Sequence, residues 1–272
     1  MFTLKKSKKV SQVKVAVLIA HADREPFKSV KELTENQIIS VNASEGVDTY
    51  YAIGIKRNRL ESKFRDSVEK MRWSRSFFIL RIMDQVLLRK YKRRVAKRKI
   101  VDREIRVMVP EDIRHLTPKL LSAYEFLFNE RYDWVVRTTT FSIVLPRNLI
   151  NVLNRLPIDE PRVGGRIVNQ LDGTSFVSGS FSVFNYSALR VILDSKSKIN
   201  FGLIDDVAFS RLVLNLGIPV FPISSVDIGR DYDLLKLSSL SGSLTSHIRC
   251  RSNPKTDDDI ELFTKVLDKV SS

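Results

Sequence analysis

The stretch "VKVAVLIAH" (Val13–His21) points to the class of fold that this sequence adopts. Its near-continuous run of β-branched and aliphatic residues is typical of a strand that is covered on both faces, as in a parallel sheet. Similar runs farther along the chain alternate with helical patterns. The predicted strands lie at residues 13–21, 48–55, 104–110, 133–140, 162–168, 175–185 and 218–223. This alternation predicts an α/β sandwich with a mostly parallel central sheet flanked by helices.

Helical spacing of apolar residues fills the intervals between these strands. The predicted helices lie at about 27–39 and 60–99, after Thr117, and at 146–157, 187–194, 205–217 and 257–270. Thr117 is the expected N-cap of its helix, and Pro118 the first helical residue. The acidic triplet Asp257–Asp259 is interpreted as the first turn of the last helix, where negative charge complements the helix dipole.

The composition places the chain among soluble globular proteins, because 43% of its 272 residues are hydrophobic and 28% are charged. The apolar run "FFILRIMDQVLL" (Phe77–Leu88) is interrupted by charges and is too short to span a bilayer, so a buried helix face is expected. The single cysteine, Cys250, excludes a disulfide or a multi-cysteine zinc site within one chain. The N-terminus reads as a first strand rather than a signal peptide. A cytoplasmic protein is expected.

The net charge of +15 is expected to attract the protein to an anionic partner, unless the basic residues have another role. Much of it lies in "RKYKRRVAKRKIVDREIR" (residues 89–106), at the predicted end of the long helix. Three interpretations remain open: a solvated helix end favoured by the helix dipole, a surface attracted to the inner face of an anionic membrane, and a nucleic-acid site. The third is disfavoured, because no nucleic-acid-binding motif accompanies the charge.

Four ordered motifs carry a resemblance to a known family. They are "YDWVVRTTTFSIVLPRNLINVLNRLP", "VGGRIV", "FVSGSFSVFNYSALRVIL" and "GLIDDVAFSRLVLNLGIPV", starting at residues 132, 163, 176 and 202. Their succession is similar to the second half of fringe-like and β-1,3-galactosyltransferase-like glycosyltransferases of the GT-A fold. The similarity covers roughly residues 104–251 and implies a Rossmann-type sandwich.

The sequence departs from the family where the family places its metal ligands. An Asp-Asp-Asp-Thr element ends the first motif in the family, whereas Arg137, Thr138 and Thr139 occupy that place here. The chain looks like bacterial or viral relatives that have an Arg-Thr-Asn-like sequence at this point. Threonine hydroxyls are poor metal ligands, and an adjacent arginine repels a cation. A site without a metal is therefore expected, although Mn or Mg recruited through His247, the family's remaining ligand, stays an open alternative.

Other groups must then stabilise a leaving diphosphate. Arg137 is a candidate, since its guanidinium could grip phosphate where the metal would lie. The structural alternative is that Arg137 forms an ion pair with Asp133 or another carboxylate. His247, Arg249 and Arg251 fall at alternate positions of "SHIRCRS" and would share one face of a strand, as a phosphate clamp or an ordinary basic edge.

Two adjacent acids, Asp205 and Asp206, begin the predicted helix in "LIDDVAFS". Residue pattern alone leaves helix capping and catalysis equally open. The resemblance implies that Asp206 is the general base, with Asp205 as cap or acceptor-orienting residue. Gly179 would let the backbone approach the donor closely.

At the end of the first strand, His21 and Asp23 lie where a nucleotide base and ribose would bind in a GT-A fold, with an ordinary loop as the alternative.

Together these features predict one domain over residues 1–272. Residues 13–110 form its nucleotide-binding half, with a basic helical insertion at about 60–100, residues 111–251 its donor and acceptor half, and residues 252–272 a terminal helix. The expected activity is inverting transfer of a sugar from a uridine diphosphate sugar to a glycan or glycolipid. The alternative is a catalytically degenerate relative that binds glycans or proteins.

Overall fold

The computed structural model describes residues 13–23, 25–55, 98–111, 115–169, 175–229, 245–250 and 256–271. The strands are β1 (Val15–Ala20), β2 (Val47–Ile55), β3 (Arg98–Val101), β4 (Glu104–Pro110), β5 (Trp134–Thr139), β6 (Ser142–Val144), β7 (Val163–Asn169), β8 (Ser175–Asn185), β9 (Val220–Pro222), β10 (Ser225–Ile228) and β11 (His247–Cys250). The helices are α1 (Phe27–Ser44), α2 (Leu116–Asn129), α3 (Pro146–Leu153), α4 (Tyr186–Asp194), α5 (Asp205–Asn215) and α6 (Thr256–Ser271).

The predicted α/β class is confirmed. An eight-stranded sheet runs in the order β3-β4-β2-β1-β5-β8-β7-β9, and β10-β11-β6 form a small second sheet. Strands β4, β2, β1 and β5 are parallel to their neighbours within that block, as is β7 to β9. The carboxyl ends of β1, β2, β4 and β5 therefore meet at one edge of the sheet, where ligands bind in open α/β folds.

Hydrophobic burial explains this layering. All but the last residue of β1 is buried, as the sequence predicts for a strand covered on both sides. One core lies between the sheet and helices α2, α4 and α5, and a second lies on the opposite face against α1 and α3. A third core joins the small sheet to α1 and α6. The charged side chains at the carboxyl ends of the strands therefore lie between two hydrophobic cores.

The predicted helix at 60–99 is wrong at its end. Arg98 and Lys99 belong to strand β3, which pairs antiparallel with β4 in a hairpin. The turn is Asp102–Arg103, and Asp102 has a φ of 52°, a conformation that Asp tolerates in a two-residue hairpin loop. Residues 56–97, on which the rest of that predicted helix and half of the basic segment fall, lie outside the described residues.

Smaller differences concern helix ends and short strands. Helix α1 continues to Ser44, past the predicted end near Ile39, and Gly46 follows it with a φ of 77°. Helix α2 begins at Leu116 after His115, so Thr117 lies inside its first turn and is not the N-cap. Strands β6 and β10 were not predicted, because they are only three and four residues long.

Within the described part of the chain, no helix is long and apolar enough to cross a membrane.

Candidate active site

Arg137 is the central residue of the site, near the end of β5. Its side chain is 4% exposed and forms an ion pair with the carboxylate of Asp205, the first residue of α5. Burial acts to lower the pKa of Arg137, but the Asp205 carboxylate and smaller contributions from Tyr124 and Asp206 together outweigh it, and the pKa is raised. The guanidinium is therefore cationic and faces the protein's own acid. Of the two interpretations of Arg137, this contact matches the structural ion pair, and the partner is Asp205 rather than Asp133.

Gly179 of β8 makes room for this guanidinium. A Cβ built on Gly179 would lie 2.6 Å from Nη2 of Arg137 and 2.9 Å from Cζ. The backbone N–H of Gly179 also donates to Oδ2 of Asp206 at 3.3 Å. The backbone at Gly179 therefore contacts both the buried Arg137 guanidinium and the Asp206 carboxylate.

Asp206 differs from its neighbour in exposure and in partners. Its side chain is half-buried, whereas Asp205 is 3% exposed. Oδ1 of Asp206 accepts the N–H of Val207 at 2.9 Å, and Oδ2 accepts the N–H of Gly179. Two backbone donors hold this carboxylate, and it keeps lone pairs for a further partner. A fixed and solvent-reachable carboxylate is suited to accept a proton from a hydroxyl group.

A second buried ion pair supports the same edge of the sheet. The Nζ group of Lys119, in α2, donates to the carbonyl of His21 at 2.9 Å and to Oε1 of Glu111 at 2.5 Å. Oε2 of Glu111 accepts the N–H of Gly54 at 2.5 Å. Burial lowers the pKa of Lys119, with Glu111 opposing that effect. The network joins the ends of β1, β2 and β4 through charged hydrogen bonds.

Sequence reasoning missed both members of this pair. Glu111 follows directly after a buried strand, and its charged side chain in that place could have identified it from the sequence as a candidate site residue. Lys119 gives no such signal, because the pattern of α2 does not reveal that its first turn lies beneath the strand ends.

Thr138 faces the side of the sheet opposite to Arg137, as adjacent strand residues do. Its hydroxyl donates to the carbonyl of Ser180 at 3.0 Å and contacts Nε2 of His247 at 3.1 Å. Nδ1 of His247 lies 2.8 Å from Oγ of Ser225, and the ring stacks on Phe181 with 4.4 Å between centroids. His247 therefore joins the small sheet to the central one.

The environment of His247 keeps its ring neutral. Burial, followed by the nearby Arg249 and Arg166, lowers the pKa of His247 to about 3. Since Thr138 gives its hydrogen to Ser180, the hydrogen-bond pattern assigns the ring proton to Nε2 and leaves Nδ1 to accept from Ser225.

The family's divalent metal does not fit the residues at this position. Both ring nitrogens of His247 are engaged by hydroxyl groups, and Thr138 and Thr139 are neutral. The hydroxyl of Thr139 pairs with Oγ of Ser142 at 2.9 Å. No cluster of three or more His, Cys, Asp or Glu suited to a metal occurs among the residues with described positions. Whether donor binding depends on a metal stays a prediction.

Of the remaining predicted residues, His21 and Asp23 follow β1, and Arg249 lies in β11. The ring of His21 packs edge-on against Tyr51 with 5.6 Å between centroids, and burial and the cations of Lys31 and Lys119 lower its pKa to about 4. Asp23 forms an ion pair with Lys28 at 3.4 Å. In β11, Arg249 shares the face of His247, whereas Arg251 lies outside the described residues.

Comparison with known proteins adds little to this geometry. No family model matches the chain, and no curated protein matches its sequence. Among solved structures, the chain is similar to a mannosyltransferase from Pyrobaculum calidifontis, in complex with GDP-Man and Mn2+, with a TM-score of 0.40 and 11% identity. The match covers 77% of this chain and 54% of that protein, about half of its length. We therefore derive the function from the geometry of the site.

Proposed function

We propose that this protein is a glycosyltransferase that moves a sugar from a nucleotide diphosphate sugar to a hydroxyl acceptor. The observation that carries the proposal is the half-buried Asp206 carboxylate, fixed by the N–H groups of Gly179 and Val207 beside the carboxyl end of β5. A base in this place has the partners and the exposure that the reaction requires. The resemblance to fringe-like GT-A enzymes supports the same residue.

In the proposed reaction, the oxygen of the acceptor hydroxyl attacks the anomeric carbon of the donor sugar. Asp206 accepts the proton of that hydroxyl at the same time. The bond from that carbon to the diphosphate oxygen breaks, and the nucleoside diphosphate leaves with the electron pair. Attack from the face opposite to the leaving group inverts the anomeric centre. One carboxylate suffices for this course, because no covalent sugar intermediate forms.

The proposed donor is a uridine diphosphate sugar, held by both halves of the domain. Residues 13–110, with His21 and Asp23, would supply the nucleotide side, and residues 111–251 the sugar and acceptor side. Arg249 and Arg251 are the proposed diphosphate ligands, and the support for Arg249 is that it lies close enough to His247 in β11 to lower the pKa of that ring. Their charge would stabilise the leaving group without a metal ion.

The proposed acceptor is a glycan or glycolipid, approached at the cytoplasmic face of an anionic membrane. The net charge of +15 supports this, since basic segments are attracted to anionic lipid. Sedimentation with phosphatidylglycerol vesicles, but not with phosphatidylcholine vesicles, is the expected result, and equal sedimentation with both would contradict it.

Calorimetry tests the donor without knowledge of the acceptor. UDP, GDP and a panel of their sugars would be titrated into the protein with Mn2+ and again with a chelator. Binding that is indifferent to the chelator is the expected result. Binding only with Mn2+ would restore a metal to the site, and no binding under either condition would overturn the proposal.

One observation favours a second candidate, a catalytically degenerate relative that binds glycans or proteins. Arg137 and His247 lie on opposite faces of the central sheet, and each is already paired within the protein, with Asp205 and with Thr138. Glycan binding without affinity for any nucleotide would support this candidate over the first.

A further inference from the structure

The burial of Arg137 distinguishes it from an arginine that binds a ligand directly. Its side chain and that of Asp205 are each 4% exposed, and Tyr124 of α2 and Gly179 of β8 lie close to the guanidinium. A guanidinium that grips a diphosphate must present its N–H groups to the ligand. Here the guanidinium covers the backbone of Gly179 from within the protein. Its position fits a group that acts through other residues of the site.

Asp206 is the residue through which it can act. The Gly179 backbone lies against the guanidinium and also donates its N–H to the Asp206 carboxylate. Asp206 interacts electrostatically with Arg137, in addition to the direct pair with Asp205. One buried cation thus faces two successive acids in the first turn of α5, and both attractions hold that turn against β5 and β8.

The hydrogen bonds around Arg137 are incomplete for a purely structural pair. Nε of Arg137, Oγ of Ser182 and the hydroxyl of Tyr124 are buried and have no hydrogen-bond partner among the described atoms. Ser182 lies directly opposite Arg137 in the β5–β8 pairing. Buried ion pairs contribute little net stability even when they are well satisfied, and apolar residues of similar volume often serve as well. Stability alone therefore does not explain the pair.

We propose that Arg137 is a positioning residue for Asp206: the buried cation fixes the first turn of α5, and with it the Asp206 carboxylate, through its ion pair with Asp205. This inference rests on the proposed function. Arg137 then supplies no contact to the donor, and its removal affects the proton-transfer step rather than donor binding.

The experiment replaces the ion pair by an apolar pair of similar volume, Arg137→Met with Asp205→Val. The expected result is a protein with near-normal thermal unfolding and donor affinity, whose kcat falls about 100-fold while KM changes little. The matched control is Arg98→Met with Glu125→Val, which removes a partly exposed pair between β3 and α2 and should keep kcat.

Retention of wild-type kcat by the apolar variant would overturn the inference and leave the pair a structural feature. Loss of donor affinity in that variant would also overturn it, because Arg137 would then contribute to donor binding. If the apolar variant does not fold, Arg137→Lys keeps the charge, and wild-type kcat with weakened donor binding in that variant would overturn the inference. A wild-type protein that binds no nucleotide would overturn the proposed function itself, which donor calorimetry detects independently.

Discussion

Arg137 and Asp205 form an ion pair that joins the end of the central strand β5 to the start of helix α5, with both side chains 4% exposed. The sequence left two interpretations of Arg137 open, a diphosphate ligand and an ion pair with a carboxylate, and the contact with Asp205 matches the second. Because the pair lies beneath Gly179 and next to Asp206, the cation at the end of β5 is directed at the protein's own carboxylates. The predictions below depend on this arrangement.

Gly179→Ala should disturb the guanidinium of Arg137, because the new methyl group would lie 2.6 Å from Nη2. The guanidinium cannot move freely, since it is buried and paired with Asp205. We expect a loss of about 1–3 kcal/mol in unfolding free energy, the usual range for overpacking, together with reduced turnover. Chemical denaturation measures the first effect.

Gly202→Ala is the matched control for this substitution. The nearest atom to its added methyl group is Oδ1 of Asn200 at 3.2 Å, in an exposed turn. It should change stability by less than about 0.5 kcal/mol, as surface substitutions usually do. Equal stability of the two variants would show that the guanidinium does not occupy the space above Gly179.

Glu111→Gln should destabilise the fold strongly, because it leaves the Lys119 ammonium buried without a counter-charge. The side chain of Lys119 is 3% exposed and that of Glu111 is 15% exposed. Breaking a buried pair by removing one partner costs about 3–5 kcal/mol. The matched variant Glu261→Gln breaks a pair with Lys265 whose side chains are 67% and 56% exposed, and should cost less than about 1 kcal/mol. Similar unfolding free energies for the two variants would refute the buried network.

Acid should destabilise the protein through His247. Burial and nearby arginines lower its pKa from 6.5 to about 3, so the unfolded chain binds a proton between these values and the folded chain does not. The contribution to stability is therefore fully present above pH 6.5 and is lost as the pH falls toward 3, at up to about 1.4 kcal/mol per pH unit.

His247→Gln is expected to lower stability at pH 7 and to flatten this acid dependence, measured as unfolding free energy from pH 7 to pH 4. An unchanged slope in the variant would mean that other groups carry the dependence.

Much of the sheet could be predicted from the sequence, because buried strands carry uniform apolar runs. Strand β1 is the clearest case, and β8 was predicted with its observed bounds. The hairpin of β3 and β4 was missed because lysine and arginine fit a helix end as well as an edge strand. The deciding feature was the backbone of Asp102, which only the folded chain reveals.

The site was predictable in its residues but not in their pairing. Acids at the start of α5 and an arginine at the end of β5 follow from sequence order. Which of them meet depends on strand alternation and on long-range contacts. Arg137 and Thr138 were treated as one cluster, although neighbours on a strand face opposite sides. The contribution of Lys119 depends on how α2 packs beneath the strand ends, which no local pattern encodes.

The measurement that tests the central claim most directly is release of nucleoside diphosphate from the donor panel, in the presence of glycan and glycolipid acceptors, by the wild-type protein and by Asp206→Asn. Asp268→Asn, in the exposed part of α6, is the matched control. We predict that the Asp206 variant folds and binds donor as the wild type does, and that its rate falls about 100- to 10,000-fold, while the control keeps its rate. A wild-type rate in Asp206→Asn would contradict the assignment of Asp206 as the base.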